Sequence, residues 1–282
     1  MPRVIVLLCA LLVAVAIVVE LALRPGARGR ELLTNLGLGG ARVLARPWLW
    51  GLEALIYVGV AELCARWSGL APLDPGRATT WLIALLGYDF LYYWAHRASH
   101  RAGLLWAIHE VHHQPTRYDV TVGLRVSLLN SASLLPFFLP LAALGVPLEV
   151  YAGVAVAHYL AMAWLHVDTP APARRSPGRA RGILRAAARA VFFALVNTPA
   201  RHRVHHSRAA RHVDKNFGGV LIVWDRVFGT YIGPEPVLAT GVHGRDAAPG
   251  ILGAHLVPAL ALWRRLQRRE RAWRKLVVLL LG

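Results

Sequence analysis

The chain has 282 residues, 56% of them hydrophobic, and 32 Lys+Arg against 15 Asp+Glu give a formal net charge of +17. Apolar runs of membrane-spanning length account for the hydrophobic excess, which excludes an ordinary soluble domain built around one large core. The arginines flank those runs and no aromatic-interleaved nucleic-acid module is present, so the charge points to anionic lipid headgroups and not to nucleic acid.

The first apolar run covers residues 4–23 and reads as a retained anchor. It is long for a signal peptide and is followed by Leu23-Arg24-Pro25-Gly26 instead of a small-x-small cleavage site. Residues 24–47 carry Arg24, Arg28, Arg30, Arg42 and Arg46 against Glu31 alone, which predicts a cytoplasmic loop by the positive-inside rule. A second run, 48–70, contains Glu53 and Glu62, which should face the bundle or snorkel. A third, 79–95, runs straight into His96-Arg97-Ala98-Ser99-His100. Runs 126–145 and 147–166 share a junction at Gly145-Val146-Pro147, which predicts a tight helical hairpin. Cys9 and Cys64 lie inside apolar runs, excluding a disulfide framework and a thiolate metal cluster.

The expected fold is an all-α polytopic membrane bundle of four to five spans. It divides into N-terminal anchor spans (1–78), a catalytic domain (79–232) and a basic amphipathic tail (233–282). Within that tail the 264–275 segment reads as a basic helix against headgroups. Counting spans from the 24–47 loop returns His96, His166 and the arginine-rich 169–211 segment to the same face, the cytoplasmic one.

Histidine spacing carries the chemistry. His96 and His100 are four apart, and His109, His112 and His113 follow at i, i+3 and i+4. His202, His205 and His206 repeat that second pattern. On helices each set shares one face, and neutral imidazole is a common metal ligand. Eight such histidines are too many for one ion and suit two. His166, ending the fifth run, is a candidate ninth ligand or an interfacial anchor. His158 lies roughly 12 Å deeper at 1.5 Å per residue and reads as a bundle hydrogen bond or a channel residue. Residues 109–113 also spell H-E-x-x-H, in which Glu110 would act as general base of a zinc hydrolase. The second cluster has Arg203 in place of that glutamate, so the shared pattern is HxxHH. Asp89, two turns before His96, could support a ligand imidazole or make a structural bond to Tyr or Trp. Asn216 and Asp225 could likewise support ligands or serve as cap and turn residues.

HRxxH, HxxHH and a later HxxHH, preceded by Asp89-Phe90-Leu91-Tyr92-Tyr93-Trp94 and followed by Asn216-Phe217-Gly218-Gly219 and the 224–231 segment WDRVFGTY, resemble the fatty acid hydroxylase superfamily of sterol desaturases and alkylglycerol monooxygenase-like proteins. The resemblance implies a non-haem di-iron oxygenase with His96, His100, His109, His112, His113, His202, His205 and His206 as ligands, and His166 as a further one. It implies hydroxylation or desaturation of a bilayer lipid of sterol, fatty acyl or alkylglycerol type, with O2 as cosubstrate. With no flavin, nicotinamide or haem motif in the chain, electrons would come from a reductase, ferredoxin, b5-like protein or pterin. Arg101, Arg201 and Asp119 depart from the residues usual in that family, and none of them removes a ligand.

Overall fold

The computed structural model describes residues 29–168, 183–248, 250–268 and 277–280, with a few positions between 14 and 22. The anchor expected over 4–23 therefore falls almost wholly outside the described residues, as do the basic segment 170–182 and residues 269–276. The described part is helical, without a strand. Two isolated bridges, Val196 with Leu221 and Ser207 with Thr240, pin loops together.

Helix α1 (Gly29–Ser68) is one continuous 40-residue helix. The loop expected over 24–47 is thus helical from Gly29 onward. Its arginines and glycines obscure a buried stripe of Thr34, Asn35, Leu38 and Gly39 at helical spacing. Gly39 has a steric reason to lack a side chain, because an added Cβ would lie 3.1 Å from Leu124 Cβ. Arg46 and Glu53 pair at 3.1 Å, so Glu53 is partnered within its own helix.

Helix α2 (Ala78–Arg101) ends at Ala102, whose extended backbone breaks the axis, and α3 (Gly103–His113) follows at once. A short 3-10 turn (Val120–Leu124) leads to α4 (Asn130–Ala143) and α5 (Leu148–Leu165). The expected hairpin is present, with Gly145 in the left-handed region at φ +79 and Gly145 O accepting Leu73 N–H at 2.8 Å. The span expected over 126–145 is shorter than its sequence suggested. Residues 125–129 are non-helical, and the 14 residues of α4 extend only about 21 Å, less than a bilayer core. By length and composition, only α1 and α5 among the described helices qualify to cross a membrane. Of the other spans expected, the 79–95 run carries Asp89, α4 is short, and the 4–23 run lies outside the described residues.

The apolar core joins α1, α2, α4 and α5 around Tyr57, Phe138, Leu141 and Tyr151. Tyr57 stacks on Tyr151 with ring centroids 4.4 Å apart, and its hydroxyl donates to Val146 O at 3.0 Å, as a buried tyrosine requires. Beyond the basic gap come α6 (Ile183–Leu195), α7 (Pro199–His205), a single turn α8 (Val223–Val227) and α9 (Gly250–Gln267). Helix α9 packs on α3 and α1. Residues 264–267 of the expected basic helix are the end of α9.

Candidate metal centre

Four elements bring the histidines together. The C-terminal end of α2 supplies His96 and His100, and α3 supplies His109, His112 and His113. His166 caps α5, while α7 and its cap supply His202, His205 and His206. Pro199 at the first helical position presets the backbone that opens α7.

The nine imidazoles fall into two groups, within each of which the facing ligand atoms all lie within 4.8 Å of one another. One group is His96, His100, His109, His113 and His205, and the other is His112, His166, His202 and His206. The repeated HxxHH pattern explains the division. In the first copy the i and i+4 histidines enter the five-membered group and the i+3 histidine crosses to the other. In the second copy His202 and His206 enter the four-membered group and His205 crosses back. His113 and His206 stack between the groups at 4.4 Å.

The proton positions follow from the partners. A carbonyl oxygen can only accept, so an imidazole nitrogen bonded to one must carry the hydrogen. His96 Nδ1–H donates to Phe217 O at 2.8 Å, His205 Nδ1–H to Lys215 O at 2.7 Å, His112 Nδ1–H to Arg125 O at 3.1 Å and His166 Nδ1–H to Met162 O at 2.7 Å. In each neutral ring Nε2 is then a bare lone pair. His112 Nε2 and His166 Nε2 nevertheless face each other at 3.2 Å, with no proton left to share. His205 Nε2 and His100 Nε2 are buried without any hydrogen-bond partner. Lone pairs converging in this way repel unless a cation lies among them, and 3.1–3.2 Å is the separation that nitrogens about 2.1 Å from one ion adopt. The residues present therefore fit metal ions. Burial, with the neighbouring imidazoles adding to it, pushes His109, His113, His202 and His206 well below the ordinary histidine range, and burial also lowers His112 and His205. The rings are thus neutral at pH 7, the form that ligates.

The carbonyls that fix these rings are themselves held. Asp225 accepts Phe217 N–H and Gly218 N–H, each at 2.7 Å, and the Thr230 hydroxyl at 2.6 Å. Asn216, at φ +57, accepts Ile232 N–H and donates to Arg201 O and Ile232 O. Both residues thus act on His96 and His205 through the 215–218 backbone. Asp89 is placed differently from the ligand-supporting alternative. Its carboxylate accepts Val220 N–H, Leu221 N–H, Trp224 Nε1–H and His158 Nε2, and it tethers the segment after the glycines to α2 and α5. His158 accordingly makes the expected bundle hydrogen bond. Gly219 lacks a Cβ because one would collide with His158 Nε2.

Glu110 faces away from the clusters, with both oxygens bonded to Arg245 Nη1 at 2.7 and 2.9 Å. Arg101 is half exposed and pairs with Asp214 at 3.5 Å, so its charge lies on the rim. Asp119 caps the 3-10 turn by accepting Thr121 N–H at 2.9 Å, a task that asparagine performs equally well. Arg125 belongs to no motif in the sequence. Its fully buried guanidinium donates to Val111 O at 3.0 Å, Gln114 Oε1 at 2.7 Å and Asn35 Oδ1 at 3.4 Å, while its own carbonyl holds His112. Only its position before Val126 and Ser127, amid apolar residues, hinted at an interior arginine.

Two adjacent, buried, all-imidazole pockets at the end of a helical bundle define a histidine-cluster protein suited to a pair of metal ions. The chain belongs to the fatty acid hydroxylase family, whose model matches residues 81–230. It is similar to alkylglycerol monooxygenase of Danio rerio, at 34% identity over 92% of this chain and 53% of the relative. The human alkylglycerol monooxygenase is 34% identical over 74% of this chain and 42% of the relative. An ornithine lipid hydroxylase of Rhizobium tropici is 28% identical over 59% of this chain and 46% of the relative. The chain spans about half the length of the curated relatives it matches. No solved structure matches it.

Proposed function

We propose that this protein is an integral membrane di-iron monooxygenase that hydroxylates a lipid of alkylglycerol or acylated-headgroup type. The observation that carries the reading is the pair of imidazole groups whose bare Nε2 lone pairs converge without protons to share. Family membership and the lipid-hydroxylating names of the relatives support iron and lipid over other metals and substrates. Both names favour hydroxylation over desaturation. The net change is R–H + O2 + 2e⁻ + 2H⁺ → R–OH + H2O, with the two electrons from an external donor.

When bound, a pair of iron ions supplies oxygen activation at an unactivated C–H bond. His96, His100, His109, His113 and His205 would hold one ion, and His112, His166, His202 and His206 the other. The chain's own contribution is preorganisation: backbone carbonyls fix the ring tautomers, and Asp225 and Asn216 fix two of those carbonyls. Burial excludes bulk water and keeps the imidazoles neutral. Helices α1 and α5 support placement in the bilayer. The arginine content of 24–47 and 169–211 supports a cytoplasmic-face site, reached laterally by an apolar substrate. The catalytic domain is proposed as 79–232, following anchor spans over 1–78 and preceding the basic tail 233–282.

Metal content of protein purified anaerobically under reducing conditions tests the reading. Two ions per chain are expected, one after either His112→Ala or His205→Ala, and none after both together. Fewer than two in the parent chain, or full retention in the double variant, refutes a dinuclear site. Glu110→Gln separates the zinc-hydrolase alternative. A hydrolase loses turnover completely, whereas here lipid oxidation and metal content persist, because Glu110 is engaged by Arg245.

A further inference from the structure

Helix α6 is thirteen residues long and connects the basic segment to the last histidine motif. Arg185 and residues 187–195 are all exposed, among them Val191 at 57%, Phe192 at 44% and Leu195 at 44%. At 100° per residue, Arg185 and Arg189 stack on one face, and Val191 and Leu195 share a second face about 120° around the helix. Phe192 and Phe193 flank the arginines at the boundary, and the Arg189 guanidinium sits 5.4 Å over the Phe193 ring. An apolar face of this kind is costly in water. A second copy is a poor cover, since it would bring like charges together on a chain already at +17. An anionic bilayer surface satisfies both faces, since each arginine near it is attracted to the headgroups.

Bonds at its C-terminal end tie the helix to the metal centre. Arg201, buried and adjacent to His202, donates from Nη1 to Val196 O at 2.7 Å and from Nη2 to Phe193 O at 2.5 Å. These are the carbonyls that a helix terminus leaves unpaired. Ile222 N–H adds a bond to Leu195 O at 2.8 Å. The arginine that departs from family usage before His202 is therefore the clasp between α6 and α7.

We propose that α6 lies in the plane of the membrane surface, its Val191–Leu195 face in the headgroup–acyl boundary and its arginines on anionic headgroups. Arg201 transmits that placement to the last histidine motif and sets the depth of the imidazole clusters relative to entering lipid. This rests on the membrane reading above.

The test uses the full chain with Cys9→Ala and Cys64→Ala. A single cysteine, Val191→Cys, Leu195→Cys or Arg189→Cys, carries an environment-sensitive NBD label. The protein is reconstituted in phosphatidylcholine vesicles containing doxyl-labelled lipid, with or without phosphatidylglycerol. Labels at 191 and 195 should be blue-shifted and quenched several-fold more than at 189. The difference should shrink several-fold without phosphatidylglycerol, or with Arg185→Glu plus Arg189→Glu in the chains labelled at 191 and 195. Equal quenching at all three positions overturns the proposal, as does quenching that tracks protein density and so reveals a second copy. Arg201→Met should raise amide exchange across 187–196 several-fold, and unchanged exchange removes the clasp. Extraction by alkaline carbonate would refute the integral-membrane reading separately, leaving the α6 labels to report surface contact in their own right.

Discussion

Arg125→Met isolates the contribution of a buried cation whose hydrogen bonds go to uncharged acceptors. Methionine keeps the apolar stem but withdraws every donor. Val111 O and Gln114 Oε1, bonded at 3.0 and 2.7 Å, are then left buried and unsatisfied, and the contact to Asn35 at 3.4 Å is the weakest of the three. Each stranded acceptor costs about 1–3 kcal/mol. Relief of guanidinium desolvation offsets part of that sum, leaving roughly 2–4 kcal/mol of destabilisation. At about 2 °C per kcal/mol for a chain of this size, the melting temperature should fall by about 4–8 °C. The site should respond as well, because the same residue's carbonyl fixes His112 while its side chain grips Val111 on the same helix. Loosening such an outer support weakens metal binding about 10–100-fold, and the loss should fall on the four-imidazole group. Thermal unfolding of the metal-free chain in detergent, followed by iron titration, reads both effects. Arg125→Lys should be intermediate, since one ammonium cannot reach all three acceptors. A melting temperature within 1–2 °C of the parent, with unchanged metal affinity, would refute the role assigned to Arg125.

Two further outcomes follow from the same geometry. Gly219→Ala forces a methyl group onto His158 Nε2, which should push the 215–220 segment from the clusters and weaken metal binding through His96 and His205. Equilibrium dialysis against Fe2+ measures this, and Gly51→Ala, whose added Cβ meets nothing within 4 Å, controls for the glycine-to-alanine change itself. For pH, the native imidazole pKa values of His109, His112, His113, His202, His205 and His206 are depressed, so the unfolded chain binds protons first as pH falls. Stability of the metal-free protein is therefore full above about 6.5 and declines from there toward the lowered native values. Denaturant midpoints at pH 7.5 and 5.5 should differ in that order, and a midpoint that rises on acidification contradicts neutral burial.

The histidine spacing was legible because a ligand face on a helix imposes i, i+3, i+4 on the chain, whatever surrounds it. That spacing also carried the expectation of two ions, and the crossing of His112 and His205 between groups is its geometric consequence. The supports were not legible in the same way. His96, His112, His166 and His205 are all oriented by backbone carbonyls, and a carbonyl leaves no mark on residue identity. Asn216 and Asp225 could be singled out as polar residues but not assigned, since their action passes through the main chain of residues 215–218. For Asp89, in register with His96, the sequence left a ligand support and a structural bond to Tyr or Trp both open, and its lone pairs are consumed by the 220–224 segment, Trp224 included, a partner 131 to 135 residues away. The start of the first helix was hidden for a related reason. Hydropathy and loop charge separated residues 24–47 from 48–70, whereas Asn35 and Gly39 belong to a polar and close-packed stripe that only Thr121, Leu124 and Arg125 make intelligible. Here the N-terminal helix is part of the mounting of the metal centre, because Asn35, Arg125 and His112 form one buried chain of contacts. A change in α1 at Asn35 should therefore reach the four-imidazole group before it reaches the five-imidazole one.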